Sequence, residues 1–480
     1  MTDWAATPLK QRLAVLRRAR HALAARVDEF ADLVRGPAAD GSGRRPADTI
    51  AAEVLPLCAA IQFLQRRAAR ILRPQKLGLS GRPSWLLGVR SRITRQPLGR
   101  VLILGTWNYP LFLTGVQTVQ ALAAGNAVQI KPGRDCTPLT SRLVEVLREA
   151  GVPPEAVTVL DESTEAAQSA MAAGVDHVVL TGSSTTARAV LRTAADTLTP
   201  CTIEASGCDA LFVLPGANLR RVADAVAFGM RFNGSATCIG PRRILAVSNK
   251  TGPDQFDLLA RTLEARLAPL RITPQPDAWQ QAVLVANDSG GRVPELCGRV
   301  HLDRSRPVNP GNLAATEQVS PLLVIGPDRD STLLQSDLFA PVVSLVACEN
   351  EADLLAADAA CPYALGASVF GPQPAADRFA ARVCAGCVTV NDLIVPTADP
   401  RVPFGGFGQS GFGVTRGADG LLRMTRPHVV LTRRGRWLPH LNEPHDQDRA
   451  LLAGLTEFQH RDRLADRFAG LKRLIKAARR

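Results

Sequence analysis

Short, mainly apolar segments recur through the middle of this 480-residue chain and constrain its fold more than any other feature. The first four are residues 101–104, 127–130, 157–160 and 178–180, and each is separated from the next by room for a helix. Strands of a parallel sheet read as continuous apolar runs because helices cover both faces of the sheet. The pattern therefore predicts a doubly wound α/β sheet, which commonly binds a nucleotide at the carboxyl ends of its strands.

Further apolar runs at 211–214, 244–247, 322–325 and 342–346 predict a second α/β domain that begins near residue 208. A chain of this length exceeds the size at which one core stops growing, so two or more domains are expected. The stretch from about 286 to 320 carries Gly, Pro and Asn at short intervals, which predicts loops.

Helices are predicted before the first strand and at the end of the chain. Apolar residues recur at helical spacing in two N-terminal segments, namely Leu13, Leu16, Leu23, Val27 and Phe30, then Leu57, Ile61, Leu64, Ala68 and Ile71. After Pro444 a third pattern has Leu464, Phe468, Leu471 and Ile475 on one side and basic residues on the others.

Composition and charge limit the classes of protein to consider. The chain is 46% hydrophobic and 21% charged, as in ordinary globular proteins, with a formal net charge of +13. Residues 431–480 hold twelve Lys and Arg against six Asp and Glu, and the remaining excess is spread thinly, so no nucleic-acid partner is expected. With no leader segment and no apolar run long enough to span a bilayer, we expect a cytoplasmic protein whose ten cysteines stay reduced.

Polar residues follow three of the predicted strands. The hexapeptide at 105–110 contains Asn108, whose amide could donate to a developing oxyanion. Lys131 closes the next strand and could bind a nucleotide ribose. Gly182 and Ser183 come just before a helix, where a pyrophosphate could approach the helix N-terminus. Taken one at a time, each of these signals also fits an ordinary turn or surface residue.

A thiol and a carboxylate suggest covalent chemistry. Cys238 closes the segment at 232–238, and Glu204 closes the segment at 198–204. A cysteine thiolate is a nucleophile, and a buried carboxylate can activate water to hydrolyse the resulting intermediate. Cys384 and Cys387 form a second pair without further ligands for zinc, so we expect them to be buried small hydrophobic residues, and no metal site is predicted.

Taken in order, these segments resemble the aldehyde dehydrogenase superfamily, and the resemblance runs from roughly Gln96 to Arg426. The motif at 105–110, the short N-terminus, Asn391-Asp392 and the segment at 403–406 resemble its class 3 and fatty-aldehyde branch. The resemblance implies an α/β fold with a Rossmann-type cofactor domain, a second α/β catalytic domain and a small oligomerisation element.

The resemblance also implies roles for individual residues. Cys238 falls on the nucleophile, Glu204 on the general base and Asn108 on the oxyanion-hole amide. The implied reaction is NAD- or NADP-dependent oxidation of an apolar aliphatic or aromatic aldehyde, through a thiohemiacetal and a thioester that Glu204 hydrolyses. The positions implied for the cofactor are Trp107, Lys131, Arg134, Gly182, Ser183, Asp337 and Phe339.

Several positions depart from the family pattern. Ser235 and Ala236 stand where Gly and Gln are usual, which could move the backbone N–H of Cys238. Ser206 replaces a glycine, with a cost if that position needs a positive φ or close approach of the nicotinamide. Asp337 is shorter than the usual glutamate.

Arg134 stands three residues after Lys131, where many NAD-using relatives have a glutamate. The arginine would favour the 2′-phosphate of NADP, because its guanidinium pairs bidentately with phosphate. An exposed surface arginine in an Arg-rich protein fits the sequence equally well, so the preference between NAD and NADP stays open at this point.

The domain division expected from the sequence has four parts. Residues 1–78 and 98–207 form the nucleotide-binding domain, 208–395 the catalytic domain, 79–97 and 396–430 an oligomerisation or bridging element, and 431–480 a basic helical extension. We expect a homodimer. The extension would contact an anionic membrane surface peripherally, cover a substrate tunnel, or pack on the dimer surface.

Two other functions remain open from the sequence. The first is a catalytically silent scaffold or aldehyde-binding protein, which the departures near the cofactor motivate. The second is a thioesterase or esterase that uses Cys238 and Glu204 without redox turnover.

Overall fold

The computed structural model describes residues 3–34, 44–86, 88–248, 255–298, 300–301, 318–435, 438–443 and 445–478. The chain divides into two compact units, one formed by Met1–Pro74 and Thr94–His428 and a smaller one formed by Gln75–Ile93 and Val429–Arg480. The finer division into cofactor, catalytic, bridging and extension segments stays a prediction.

The helices are α1 Asp3–Ala6, α2 Leu9–Ala25, α3 Val27–Leu33, α4 Pro46–Thr49, α5 Leu55–Ile71, α6 Phe112–Ala124, α7 Thr137–Glu149, α8 Thr164–Ala172, α9 Ser184–Thr197, α10 Leu219–Arg231, α11 Gln255–Leu267, α12 Pro276–Asn287, α13 Glu351–Ala359, α14 Gln373–Ala380, α15 Gly417–Arg423, α16 Asp448–His460 and α17 Leu464–Ala478. The strands are β1 Gln75–Leu77, β2 Val89–Pro97, β3 Arg100–Leu104, β4 Ala127–Lys131, β5 Val157–Val159, β6 His177–Gly182, β7 Cys201–Ala205, β8 Asp209–Val213, β9 Pro241–Val247, β10 Val300–His301, β11 Gln318–Val319, β12 Leu322–Ile325, β13 Val342–Cys348, β14 Tyr363–Ala364, β15 Gly366–Phe370, β16 Cys387–Val390, β17 Phe407–Gly408, β18 Gly411–Phe412 and β19 Thr425–Arg433.

The predicted N-terminal helices are present, with one break. α2 buries Leu16 and Leu23, and α3 buries Phe30, but Arg26 between them leaves helical geometry at φ −116° and ψ 28°. α5 buries Leu57, Ile61, Leu64 and Ala68, as its apolar face predicts. These faces pack into one apolar core with α6 and α7.

One helical stretch, Pro46–Ile71, is long and apolar enough to cross a membrane by length and composition. It combines α4, a π-helical turn at Ile50–Val54 and α5. Within the described residues it is the exception to the expectation that no segment could span a bilayer. Length and composition are weak evidence for a span, because a buried core helix shares them, and α5 packs its apolar side into the core above.

The four predicted strands of the first sheet are confirmed. Its order is β18-β7-β6-β3-β4-β5, parallel apart from β18, which pairs antiparallel with β7. Leu104 at the end of β3 lies opposite both Lys131 and Leu180. The segments that follow β3, β4 and β6 therefore leave the sheet at the same edge.

The second sheet is also parallel, with the order β12-β13-β9-β8-β15-β16. It contains the four predicted apolar runs of the second domain, which confirms them as strands. The apolar faces of β8, β9 and β13 form two cores, one on each side of the sheet. The chain passes from the first sheet to the second between Ala205 at the end of β7 and Asp209 at the start of β8.

Two local expectations need correction. The stretch from 286 to 320 is mainly turns where it is described, but β10 and β11 pair within it; residues 299 and 302–317 lie outside the described residues. Cys387 is half-buried and Cys384 is exposed, so the predicted burial is wrong for Cys384, which precedes β16 in a turn.

The smaller unit contains the pairing of β1 with β2 and a helical hairpin of α16 and α17. The predicted single C-terminal helix is thus preceded by a second helix. The two helices approach closely at glycines, since a Cβ on Gly454 would lie 2.6 Å from the Leu474 amide nitrogen. Leu464, Phe468 and Ile475 on α17 are exposed.

Candidate active site

One cleft collects the polar residues that the sequence places after β3, β4 and β6. Its volume is about 570 Å³. Its walls include nine of the ten predicted site residues, namely Trp107, Asn108, Lys131, Arg134, Gly182, Ser183, Glu204, Cys238 and Phe339. Asp337 is not among the lining residues that the structure describes.

The loop before Cys238 has an unusual backbone. After α10 the residues Phe232–Ser235 form a single turn in which Asn233, Gly234 and Ser235 have φ of 53°, 58° and 67°. Positive φ is unfavourable for residues with a Cβ and persists where surrounding contacts over-determine it. The loop therefore depends on its contacts with neighbouring segments.

Arg242 on β9 provides several of these contacts. Its side chain is buried, and its Nη1 donates to Ser235 Oγ at 2.9 Å while its Nη2 donates to Ser235 O at 2.8 Å. Nη1 also donates to Ala340 O at 3.1 Å. The serine that departs from the family pattern is thus a hydrogen-bond partner that fixes the loop before Cys238.

Cys238 is half-buried and faces the cleft. Burial raises the pKa of its thiol, and the nearby carboxylates of Glu204, Asp209 and Asp337 raise the pKa further. The Arg416 guanidinium acts in the opposite direction. Because the thiolate is the nucleophilic form, the site requires additional positive charge or a proton acceptor when the thiol reacts.

Asn108 is buried, and its side-chain amide and main-chain carbonyl are hydrogen-bonded. Its Nδ2 donates to Ala236 O at 3.0 Å, and its Oδ1 accepts from Thr106 Oγ1 at 2.7 Å. Its main-chain carbonyl accepts from Asn233 Nδ2 at 2.8 Å. The amide thus lies against the loop that carries Cys238, with its N–H groups on the side of that loop.

Glu204 is buried in β7. Thr415 Oγ1 donates to its Oε2 at 2.9 Å, whereas Oε1 has no hydrogen-bond partner among the described residues. Burial raises the pKa of this carboxyl, and Arg416 and Thr415 lower it. A raised pKa and a free oxygen suit a group that must accept a proton from water.

The opposite end of the cleft has features that suit a dinucleotide. Ser183 caps α9, where its Oγ accepts from Thr186 N at 3.1 Å, and both residues line the cleft. A helix N-terminus favours anions, and Lys131 and Arg134 add positive charge to the same wall. The residues present therefore fit NAD or NADP.

Two glycines of the cleft, Gly133 and Gly182, differ in whether the surrounding structure leaves room for a Cβ. A Cβ on Gly133 would lie 2.4 Å from the Thr106 carbonyl carbon, so the turns after β3 and β4 pack backbone against backbone there. At Gly182 a Cβ would meet only ordinary contacts, the nearest at 3.4 Å. The local fold therefore does not require glycine at 182.

Two departures from the family pattern contact each other. The Ser206 hydroxyl donates to the Asp337 carboxylate, and Arg242 Nε lies 3.9 Å from Asp337 Oδ1. Burial raises the pKa of Asp337 to about 6, while Arg242 and Ser206 lower it. Ser206 lines the cleft and does not have a positive φ, so the backbone cost of that conformation is absent, while the expected cost from close approach of the nicotinamide stays a prediction.

Sequence reasoning missed three residues near the reacting groups, Arg242, Thr415 and Arg416. Arg242 had a usable signal, because a charged residue inside a buried apolar strand requires partners. Thr415 and Arg416 lie far along the chain from Glu204, and their proximity follows from the pairing of β18 with β7. Arg416 is buried, and its guanidinium lies 4.0 Å from the centre of the Phe404 ring.

Solved structures of aldehyde dehydrogenases share the fold of the chain. An aldehyde dehydrogenase from Mycobacterium tuberculosis, complexed with NAD+, superposes with a TM-score of 0.79 at 25% identity and covers 91% of this chain and 88% of its own. The structure of a protein from Burkholderia cenocepacia, named a putative aldehyde dehydrogenase, matches with the same TM-score and identity.

Sequence comparison gives the family. A probable coniferyl aldehyde dehydrogenase from Pseudomonas aeruginosa is 29% identical over 402 residues, which are 82% of this chain and 81% of that protein. A protein from Mycobacterium ulcerans that carries the name "Putative succinate-semialdehyde dehydrogenase [NADP(+)] 2" is 29% identical over 90% of this chain and 82% of its own length. The sequence model of the aldehyde dehydrogenase family matches residues 1–430, beyond the limits of the motif resemblance. The chain therefore belongs to the aldehyde dehydrogenase family, whose members are NAD(P)-dependent oxidoreductases.

Proposed function

We propose that this protein oxidises an apolar aliphatic or aromatic aldehyde to the carboxylic acid, with Cys238 as nucleophile, Asn108 as oxyanion donor and Glu204 as general base. The observation that carries the proposal is that these three side chains line one cleft whose other end has a helix N-terminus and two basic residues. A nucleophile, an oxyanion donor and a base within one site are the requirements for acyl chemistry through a covalent intermediate.

The first step is addition of the Cys238 thiolate to the aldehyde carbon. The carbonyl oxygen becomes an oxyanion, which the Asn108 amide and the Cys238 backbone N–H stabilise. Asn108 Nδ2 already donates to Ala236 O at 3.0 Å, two residues before Cys238, so the amide needs little reorganisation to reach this oxygen. Loss of one such donor typically slows a reaction by about 10²- to 10³-fold.

Oxidation converts the thiohemiacetal on Cys238 to a thioester. Bound NAD or NADP would supply the hydride acceptor. Glu204 then removes a proton from water as the water attacks the thioester, and Cys238 leaves as thiolate. The unpartnered Oε1 of Glu204 is available for that water, while Thr415 holds Oε2.

The cofactor contacts are inferred from the lining of the cleft. Ser183 and Gly182 would receive the pyrophosphate at the start of α9, and Lys131 a ribose hydroxyl. Trp107 and Phe339, whose ring centres are 5.7 Å apart, would flank the nicotinamide end. We place Asp337 behind Ser206, which lines the cleft itself.

Arg134 favours the 2′-phosphate of NADP in this proposal. It is exposed at the wall of the cleft that also holds Lys131. The relative from Mycobacterium ulcerans carries NADP(+) in its name, which supports the same direction.

The substrate class rests on two supports. The motifs at 105–110 and 403–406 resemble the class 3 and fatty-aldehyde branch, and relatives from Pseudomonas aeruginosa and Caulobacter vibrioides carry the name probable coniferyl aldehyde dehydrogenase. Coniferyl aldehyde is aromatic. We therefore propose that an apolar or aromatic aldehyde is preferred over small polar aldehydes.

The smaller unit is proposed to provide contacts outside the reaction. β19 exposes Val429, Val430 and Leu431, which suits association of two copies as a homodimer. In the C-terminal hairpin, exposed apolar residues of α17 lie among basic ones, which suits peripheral contact with an anionic membrane surface. Sedimentation of the protein and flotation with anionic vesicles, with and without residues 445–480, test the two contacts separately.

The test of the function is absorbance at 340 nm with NAD and with NADP across aliphatic and aromatic aldehydes. Cys238→Ala should abolish product formation, and Glu204→Gln should keep the first burst of reduced cofactor but turn over slowly. Full activity of Cys238→Ala would refute the assignment. Absence of reduced cofactor with every aldehyde, while Cys238 still reacts with iodoacetamide, would favour the catalytically silent alternative.

A further inference from the structure

A buried ion pair outside the cleft lining connects to the Asn108 turn. Arg44 Nη1 lies 2.5 Å from Glu53 Oε1, and the two side chains are 1% and 0% exposed. Burying two charges costs more desolvation than the pair usually returns, so such a pair is weak evidence for stability alone. The contacts of Arg44 and Glu53 with neighbouring segments indicate a further role for the pair.

Glu53 supplies the cap of a helix on another segment. Its Oε2 accepts from the backbone N–H groups of Leu111 and Phe112 at 2.7 and 2.9 Å. These groups lie at the start of α6, whose own N-cap residue makes no side-chain cap bond. A carboxylate at a helix N-terminus satisfies exposed donors and interacts favourably with the helix dipole. The start of α6 is thereby fixed relative to the π-helical turn that carries Glu53.

Arg44 reaches the residues just before this helix. Its Nη1 also donates to the Asn108 carbonyl at 3.4 Å, and its guanidinium lies 5.0 Å from the centre of the Tyr109 ring. The two charges therefore contact both sides of a short turn, the carboxylate at its helical end and the guanidinium at Asn108.

The turn is in contact with the loop before Cys238. The Tyr109 hydroxyl and Thr237 Oγ1 are 2.6 Å apart, and Thr237 immediately precedes Cys238. Asn233 Nδ2 donates to the same Asn108 carbonyl that Arg44 contacts. A displacement of the turn would therefore change the position of the Asn108 amide relative to Cys238, and a displacement of about 1 Å can cost 10²-fold in rate.

We propose that Arg44 and Glu53 are positioning residues for the reaction, because their ion pair holds the Asn108 turn where the amide can reach the oxyanion. This inference rests on the oxyanion role given to Asn108 above. It assigns the pair a function in the steps that form an oxyanion, of which the addition to the aldehyde precedes the first burst of reduced cofactor. Cofactor affinity should be unaffected, because neither residue lines the cleft among the described residues.

A double-mutant cycle on the full-length protein tests this. Glu53→Gln keeps the shape and one acceptor oxygen but removes the charge, and Asn108→Ala removes the amide. The rate of the first burst of reduced cofactor should fall about tenfold in Glu53→Gln, with the cofactor KM unchanged. In the Asn108→Ala background, Glu53→Gln should slow the burst by no more than about twofold, because groups that act as one unit are not additive.

A second variant and a matched control keep the test decisive. Arg44→Lys retains the positive charge and should slow the burst less than Arg44→Met, so it replaces Glu53→Gln if that variant does not fold. Asp358→Asn breaks another buried arginine–carboxylate pair, that of Arg243 and Asp358 at 2.8 Å. Asp358→Asn should lower Tm. If it also slows the burst, it should do so by the same factor in the wild-type and the Asn108→Ala backgrounds.

The outcomes separate this inference from the proposed function. If Glu53→Gln slows the burst equally in both backgrounds, the pair acts as general structure and the inference is wrong. If Asn108→Ala itself reacts as fast as the wild type, the oxyanion role is wrong and the inference falls with it. If the loss in Glu53→Gln disappears when Asn108 is absent, the positioning role is supported.

Discussion

The two ends of the cleft are built differently. At the end that holds Asn108, Glu204 and the loop before Cys238, these residues are buried, and most of their side-chain polar atoms are bonded to neighbouring backbone and side chains, with Glu204 Oε1 an exception. At the cofactor end Arg134 and Ser183 are exposed, and the binding groups are a helix N-terminus and long basic side chains. The first end has its geometry fixed by the protein, while the second offers charge to a ligand.

The difference follows from what each end has to do. The oxyanion role proposed for Asn108 requires donors whose positions are set before the reaction, and the dense hydrogen bonding around Asn108 agrees with that proposal. Anion binding at a helix N-terminus tolerates side-chain adjustment, since the backbone N–H groups supply most of the direction. Substitutions at the end that holds Asn108 and Glu204 should therefore change kcat and stability, and substitutions at the cofactor end should change the cofactor KM.

The largest effect is expected for Arg242→Met. The guanidinium holds Ser235 O, Ser235 Oγ and Ala340 O, and its loss leaves these acceptors buried without their donor. Removal of one partner of a buried charged group costs about 3–5 kcal/mol. The free energy of unfolding, measured in urea, and the rate of the first burst of reduced cofactor should both fall. Arg401→Met, at an exposed pair with Asp399, is the control and should leave both unchanged.

Thr415→Val should shift the pH dependence of kcat. The Thr415 hydrogen bond lowers the pKa of Glu204, so its loss raises that pKa and leaves less carboxylate at a given pH. The acid limb of the kcat profile should therefore move to higher pH, so that the loss of kcat is confined to the acid side of the profile. Recovery at pH 9 is expected. A uniform loss at all pH values would show that Thr415 acts in another way.

Ser206→Gly should affect both ends, because Ser206 lines the cleft and donates to Asp337. Loss of this hydrogen bond leaves a buried carboxylate with fewer donors, at a cost of about 1–3 kcal/mol in the free energy of unfolding. The cofactor KM should rise severalfold. In an Asp337→Asn background the same substitution should have a smaller effect on stability. Equal effects in the two backgrounds would mean that the two side chains act independently.

Arg134→Glu is expected to have the smallest effect on turnover. Removal of the exposed guanidinium should raise the KM for NADP by about tenfold and lower the KM for NAD, with kcat unchanged. Initial rates with both cofactors measure the ratio. A change in kcat of the same size would contradict the contrast between the two ends of the cleft.

Much of the fold could be predicted because its signals are local. Each apolar run from 101 to 180 and from 211 to 346 became a strand, since burial on both faces of the sheet favours apolar residues at these positions. The helices at 13–30 and 57–71 follow from spacing, although the break at Arg26 does not. The pairing of β18 with β7 could not be predicted, because strands two residues long carry no periodic signal.

The cleft was predictable in part for the same reason. Asn108 follows β3, and Lys131 and Gly182 end β4 and β6, which lie on either side of β3, so the sheet brings them together whatever their separation in sequence. The contacts of Ser206 with Asp337, and of Arg44 with Glu53 and Asn108, join segments with no common pattern. They follow from packing between elements.

The sequence by itself determined the residue types that carry the chemistry and the family to which the chain belongs. The residue types and the family depend on side chains and on the order of short motifs, and both can be read directly from the sequence. The tertiary structure alone decided which groups hold them, placing Arg242 against the loop before Cys238, Thr415 against Glu204 and the Arg44–Glu53 pair against Asn108. The physical reason is that a buried polar group must find a partner, and the partner nearest in space is set by how distant segments pack.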